Sequence, residues 1–272
     1  MENEKYTYQY PHPAVTTDCI VFGFDGKRIK VLLIRRGLEP YKGRWAFPGG
    51  FMRIDESAEQ CAERELAEET HLQLTHIKQL GAFSDVNRDP RERVVSIAFY
   101  ALAKKSEVLG GSDAEEALWF DLDDVPQLAF DHDYMLRKAI AKLREDIHFS
   151  PIGFDLLDDE FSMTELQNLY EAILNIRFDR RNFYKKMMQT GILEEADDDA
   201  LYGVALSECM PNKQMKMKDI EQLFSPNPVE RFSSTEGSRE AKSHPGRKAK
   251  KFRFNKERYD EMKENDEFKL EF

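Results

Sequence analysis

At 272 residues the chain is long for one compact domain and comfortable for two, and its formal net charge of −11 argues against indiscriminate binding to nucleic acid. No apolar run approaches the roughly 18 residues that a membrane helix requires, and MENEKYTYQYPHP at the start lacks the charged-then-apolar pattern of a secretory leader. Cys19, Cys61 and Cys209 are odd in number and scattered without C-x-x-C spacing, so a reducing cytoplasm is the expected compartment, with no membrane partner.

Thr16 to Phe24 (TTDCIVFGF) and Ile29 to Ile34 (IKVLLI) are apolar and β-branched. With the Asp25-Gly26 turn between them, they read as a hairpin. Arg44 to Met52 is a strand and loop punctuated by Gly and Pro. Glu56 to Thr70 has helical composition, with an apolar stripe of Ala58, Cys61, Ala62, Leu66 and Ala67. Leu80 to Val86, Val94 to Leu102 and Ala117 to Asp121 read as further strands. The order predicts an α+β or sandwich arrangement, a mixed sheet with one central helix, rather than repeated βαβ units. A helix follows over about Asp133 to Ile147, and Phe149-Ser150-Pro151 marks a boundary, giving domains over 1–148 and 149–272.

In the second part, Ser162-Met163-Thr164-Glu165 matches a capping box ahead of Leu166 to Leu174. Asn175 to Phe178 makes a turn, Asp179 is the N-cap of a second helix over Arg180 to Thr190, and Gly191 ends it. Two short helices joined by a tight turn predict a helix-turn-helix. Ile192-Leu193-Glu194 and Lys251 to Phe254 are expected to pair as a wing, with a polar and flexible insertion over about 203–246. From Arg239 to Arg258 there are nine Lys or Arg against two acids, a basic footprint on an acidic body that DNA would match.

The stretch with the most chemistry runs from Gly50 to Leu72, G-x5-E-x7-R-E-L-x-E-E-x-H-L. On a helix, Glu65, Glu68 and Glu69 stand at i, i+3 and i+4 and crowd one face. Such a cluster repels itself unless neutralised, and a hard divalent cation, Mg²⁺ or Mn²⁺, suits oxygen ligands. Arg64 is placed to pair with Glu56 and fix the loop to the helix. Gly49 and Gly50 allow backbone to approach a diphosphate where a Cβ would obstruct it. Arg35 and Arg36, with Tyr41 and Trp45 after them, are candidates to hold phosphate and stack on a base. Arg88 and Arg91, around Asp89-Pro90, are candidates for a second phosphate or a ribose. His132, between Asp131 and Asp133, reads as a capping or interface group rather than a ligand.

The motif resembles the Nudix box of nucleoside-diphosphate hydrolases, over about residues 14 to 125, except that the family's late glycine is His71. The resemblance implies Glu68 and Glu69 as metal ligands, Glu65 as ligand or base, and a left-handed backbone at His71. RGLEPYKGRWAFPGGF, RELAEET, DVNRDPRERVVS, FDHDYML, FSMTELQNLYEAIL, DRRNFYKKM and GRKAKKFRF together resemble the Nudix-related transcriptional regulators, the NrtR-like family. That resemblance implies a Nudix α/β/α sandwich that binds ADP-ribose or a related sugar metabolite. It also implies a C-terminal winged helix that binds operator double-stranded DNA as a homodimer. Arg180, Arg181, Asn182 and Lys185 would then contact DNA, with Arg247, Lys248 and Lys250 in the wing. The alternative is an ADP-ribose pyrophosphatase whose C-terminal domain serves dimerisation.

Overall fold

The computed structural model describes residues 9–74, 76–104, 110, 114–196 and 250–264. It divides into two compact units, Met1–Leu156 and Leu157–Phe272. The division falls after Leu156 rather than after His148, because a 3₁₀ turn at Ile152–Leu156 packs on the sheet and last helix of the first unit.

The first unit is built around β1 (Ala14–Phe24), whose apolar β-branched run is buried almost throughout. It pairs antiparallel with β2 (Ile29–Arg36), the Asp25 side chain closing the turn by accepting from the backbone N–H of Lys27 and Arg28. Two short strands, β3 (Trp45–Ala46) and β4 (Gly49–Phe51), follow. Helix α1 (Ala58–Thr70) comes next, then β5 (Ile77–Phe83), β6 (Val94–Leu102), β7 (Ala114–Asp121) and α2 (His132–Phe149). The sheet order is β3-β2-β1-β6-β5, with β6 parallel to β1, β7 on β2 and β4 on β1. The start of β1 pairs with β4, Thr17 opposite Gly50 and Asp18 opposite Gly49, while its end pairs with β2. One buried strand therefore carries both the core and the glycine segment of the site.

A capping box between Ser57 and Gln60 starts α1, which turns Cys61, Ala62, Leu66, Glu69 and Thr70 inward. His71 ends it at φ 60°, ψ 11°, the left-handed conformation expected for the family's glycine, and its N–H donates to the Ala67 carbonyl.

In the second unit, β8 (Phe161–Ser162) leads into α3 (Met163–Leu174), where Ser162 and Glu165 complete the anticipated capping box. Left-handed Asn175 ends α3, and α4 (Arg180–Gln189) begins at Asp179, whose carboxylate accepts from Asn182 N–H. Glu171, buried on α3, accepts from Gln167, from Phe178 N–H and from Arg177 at 2.5 Å, which fixes the turn between the helices. Tyr170 and Phe183 meet edge to face at 5.7 Å. The wing pairs as expected, β9 (Leu193–Glu195) against β10 (Lys251–Phe254), and β8 adds a third strand on the other side of β10. A further helix, α5 (Lys256–Glu264), buries only Tyr259, so no apolar stripe announced it. The insertion expected over 203–246 lies outside the described residues.

Candidate functional site

Arg64 organises the acidic helix. Its Nε and Nη2 grip both oxygens of Glu56 at 2.8 and 2.6 Å, while Nη1 reaches Glu65 at 2.6 Å and Glu68 at 3.3 Å. The Arg64 guanidinium holds the Glu56 carboxyl down at about 2, aided by a hydrogen bond from Arg53 N–H. Glu68 also lies 3.6 Å from Arg53. The three expected metal ligands therefore do not converge in this conformation: Glu65 and Glu68 turn to arginines, while Glu69 turns inward and accepts from Gly49 N–H at 2.9 Å.

Glu69 is the strained member. It is 5% exposed, and burial pushes its carboxyl up to about 8, with Glu65 and Asp18 nearby adding to the effect. A Cβ on Gly50 would overlap the Glu65 carboxylate, and one on Gly49 would overlap the Thr17 carbonyl oxygen. Gly49 is therefore required for β4 to lie against β1, and Gly50 leaves the room that the Glu65 carboxylate occupies. These residues fit a divalent cation: the donors are hard oxygens, and the Glu69 carboxyl, pushed up by burial with one backbone donor, would regain its charge beside a bound cation. Such a cation would neutralise a diphosphate and activate water.

Beside Glu69 opens a small hollow of about 140 Å³. It gathers Arg36, Gly49, Gly50, Arg88 and Arg91 of the predicted set. Arg36 donates to the Pro40 carbonyl at 2.9 Å and lies 4.9 Å over the Phe130 ring. Arg91 is held by both oxygens of Asp89 and lies 5.1 Å over Phe51. Arg88 is buried and bonds both oxygens of Asp131, so it serves the frame of the hollow more than its mouth.

Two predicted residues are not in the hollow. Successive strand residues face opposite sides, so Arg36 and Ile34 look into it while Arg35 turns toward Gly43 and Glu115. Trp45 packs edge to face on Phe120 at 4.7 Å, on β7 rather than against the hollow.

The sequence reading missed Asp18. Its carboxylate accepts from Ser96 at 2.5 Å, lies 3.4 Å from His132 Nε2 and 3.7 Å from Arg88, and backs the glycine strand. A charged residue inside TTDCIVFGF was the available signal. His132 is buried, its Nδ1 accepts from Phe47 N–H at 3.0 Å, and burial lowers its pKa. It therefore ties the start of α2 to the segment just before Pro48-Gly49-Gly50.

In the second unit, Arg180, Arg181, Asn182 and Lys185 are exposed on the first turns of α4, while Phe183 and Met187 point inward. No ion pair holds Arg180, Arg181 or Lys185 among the described residues. The wing differs: Lys250 bonds Glu195 at 2.8 Å, Lys251 bonds Glu165 at 3.3 Å, and Arg253 pairs with Glu160. Arg247 and Lys248 lie outside the described residues.

A mixed-sheet domain carrying an acidic helix against a diglycine strand, followed on one chain by a winged helix, defines a Nudix-fold protein with a second, winged-helix domain. The family comparisons agree. Residues 12–140 match the NUDIX domain and residues 153–202 the NrtR DNA-binding winged helix domain. The chain is 33% identical over 199 residues to the ADPR responsive transcriptional repressor NtrR of Acinetobacter baylyi, spanning 71% of this chain and 80% of that protein. It is 43% identical over 129 residues to an ADP-ribose pyrophosphatase of Methanocaldococcus jannaschii, spanning 47% of this chain and 73% of that one. The crystal structure of Shewanella oneidensis NrtR complexed with a 27mer DNA superposes with a TM-score of 0.57 at 27% identity, covering 69% of this chain and 90% of that chain. The chain belongs to the NrtR family of Nudix-related transcriptional regulators. Among the described residues no helix is long and apolar enough to cross a membrane.

Proposed function

We propose that the protein is a nucleotide-responsive transcriptional regulator. Its Nudix domain binds ADP-ribose or a closely related nucleoside-diphosphate sugar, assisted by Mg²⁺ or Mn²⁺. Its winged helix binds operator double-stranded DNA as a homodimer, and the ligand changes that affinity. The likeness to a repressor responsive to ADP-ribose, across both domains, carries the reading. Arg180, Arg181 and Lys185, exposed on α4 and in no ion pair among the described residues, support it, because a helix entering the major groove presents its N-terminal residues to bases and phosphates. Arg36 and Arg91 beside Gly49 and Gly50 suit a diphosphate.

Fluorescence anisotropy with duplex DNA from upstream of the protein's own gene cluster tests the proposal. Specific binding that falls steeply with salt and shifts with ADP-ribose is expected. Equal affinity for operator and random duplex, unmoved by ADP-ribose, would sink it.

A second reading has its own observation. Glu56, Arg64, Glu65, Glu68 and Glu69 are all present, and a pyrophosphatase is 43% identical over the Nudix part. The Nudix domain would then cleave ADP-ribose to AMP and ribose 5-phosphate. Release of AMP by the wild type with Mg²⁺, absent in Glu69→Gln, is the supporting result. No release by the wild type with either Mg²⁺ or Mn²⁺ would remove this reading.

A further inference from the structure

Among the described residues the Glu69 carboxylate accepts a hydrogen bond from Gly49 N–H alone, at 2.9 Å. The direction of that carboxylate therefore depends on where the Gly49 N–H points. Gly49 has little slack of its own. It lies opposite Asp18 in the β1–β4 pairing, and a Cβ on it would overlap the Thr17 carbonyl oxygen and crowd Asp18 Oδ1.

Two residues earlier, one buried side chain fixes the approach to this glycine. His132 opens α2 and is 2% exposed. Its Nδ1 accepts from Phe47 N–H at 3.0 Å, and its Nε2 lies 3.4 Å from Asp18 Oδ1. A ring nitrogen that accepts from an N–H carries no proton, so in the neutral imidazole the proton sits on Nε2 and faces the Asp18 carboxylate. The Phe47 ring stacks on the imidazole at 5.0 Å with 11° between the planes, and Phe130 lies against it at 5.5 Å. The imidazole is thus set in place, in orientation and in tautomer.

The surrounding contacts make a rigid frame of it. Asp18 is itself held by Ser96 and faces Arg88, and Arg88 bonds Asp131, the residue before His132. A parallel link runs from Ala129 N–H to the Trp45 carbonyl at 2.8 Å. Residues 129 and 132 therefore carry Trp45 and Phe47, and the backbone leaves Phe47 for Gly49 across Pro48, whose own carbonyl accepts from Cys19 N–H at 2.8 Å. Proline has a fixed φ, so little of the direction set at Phe47 is lost on the way.

We propose that His132 is a positioning residue for the divalent cation site. Its ring, anchored on Asp18, holds Phe47 and so aims the Gly49 N–H that orients the Glu69 carboxylate. Groups that orient a metal ligand in this way typically govern metal affinity by about 10–100-fold. The inference rests on the cation proposed above and adds the residue that tunes its affinity.

Calorimetric titration of the full chain with Mn²⁺ tests it, with melting temperature measured alongside. His132→Asn keeps a carbonyl oxygen where Nδ1 stands, so Phe47 N–H retains its acceptor, and Mn²⁺ affinity should stay within about threefold of wild type. His132→Gln carries the same amide one methylene further, toward Asp18, and leaves Phe47 N–H unpaired. Its Mn²⁺ affinity should fall about tenfold or more. Leu143→Ala, three turns further along α2 and also buried, should lower the melting temperature and leave Mn²⁺ affinity unchanged. Wild-type affinity in His132→Gln would overturn the proposal, and so would an equal loss in His132→Asn and His132→Gln. A matching loss in Leu143→Ala would also overturn it, by showing that lost stability alone moves the affinity. These outcomes leave the cation site standing, whereas failure of the wild type to bind Mn²⁺ would overturn that site as well.

Discussion

Arg64 grips both oxygens of Glu56, eight positions earlier in the chain, and so closes the glycine loop onto the face of α1. The same guanidinium keeps Glu65 and Glu68 from repelling each other across that face. Replacing it leaves a partly buried acidic cluster without its cation. Arg64→Ala should cost on the order of 2 kcal/mol of stability for the Nudix domain, read by urea unfolding. Arg64→Lys should recover only part, because an ammonium cannot bond both oxygens in parallel.

Acid should destabilise the domain in two stages. His132 is buried neutral, with Asp18 on β1, Asp131 at the start of α2, Arg88 on the β5–β6 loop and Arg36 on β2 around it. Its folded pKa lies below the ordinary 6.5 of a free imidazole, so its contribution is complete above about 6.5 and is lost as pH falls below it. Glu56 is ordinary at 4.5 when unfolded and about 2 when folded. Its contribution is complete above 4.5 and drains away between there and about 2. Melting temperature measured from pH 8 to 3 in a Glu69→Gln background, which removes the opposite trend of that raised carboxyl between about 8 and 4.5, should show both declines. His132→Gln should abolish only the upper one, and Arg64→Ala should flatten the lower.

Divalent cation should stabilise the wild type. Glu69 is a buried carboxylate lacking a cationic partner within bonding distance, so Mg²⁺ or Mn²⁺ at millimolar concentration should raise the melting temperature by a few degrees. Glu69→Gln should be less sensitive to the metal and, without metal, at least as stable as wild type, most clearly above about pH 8, where the buried carboxyl has to ionise. An identical metal response in both proteins would argue against Glu69 as a ligand.

His71 holds a left-handed backbone at the end of α1, where glycine has no side-chain penalty. His71→Gly should therefore stabilise the domain by about 0.5–1 kcal/mol. If ADP-ribose hydrolysis is present, the substitution should leave it intact, because the cap geometry is already that of glycine.

In the winged helix, α4 and the wing should contribute unequally to DNA affinity. Arg181→Ala removes a cation with no acidic partner among the described residues, and a loss of about tenfold with a shallower salt slope is expected. Lys250 is already paired with both oxygens of Glu195, so Lys250→Ala should change affinity by less than about twofold. The reverse order in anisotropy titrations would place recognition on the wing.

The elements with local signals were legible in the chain. Ser162 and Glu165 predicted the start of α3, Asp179 that of α4, and the apolar stripe of Ala58, Cys61, Ala62, Leu66 and Ala67 the helix of the box. What was not legible depended on partners distant in sequence. The pair Arg35-Arg36 looked like one binding feature, but the pleat sends its members to opposite faces. Trp45 looked like a stacking group until β7 arrived beside it with Phe120. Asp18 was passed over within an apolar strand, because its meaning comes from Ser96, Arg88 and His132, all supplied from far along the chain. β8 is two residues long and α5 is polar nearly all round, so neither had a pattern to read.

The pairing of β9 with β10 brings Ala196 N–H onto the Lys251 carbonyl at 2.9 Å. The chain thus departs from the winged sheet and rejoins it at a single doorway. Whatever lies between the two sides of that doorway is topologically a guest. By loop-closure entropy, each doubling of such a connection costs only about 0.6 kcal/mol, so its length is nearly invisible to the host fold. A change of length at this position is therefore one that the three-stranded sheet is expected to tolerate. An engineer can use that tolerance: a short turn joining 196 to 251, or a reporter domain seated between them, should leave the three-stranded sheet standing.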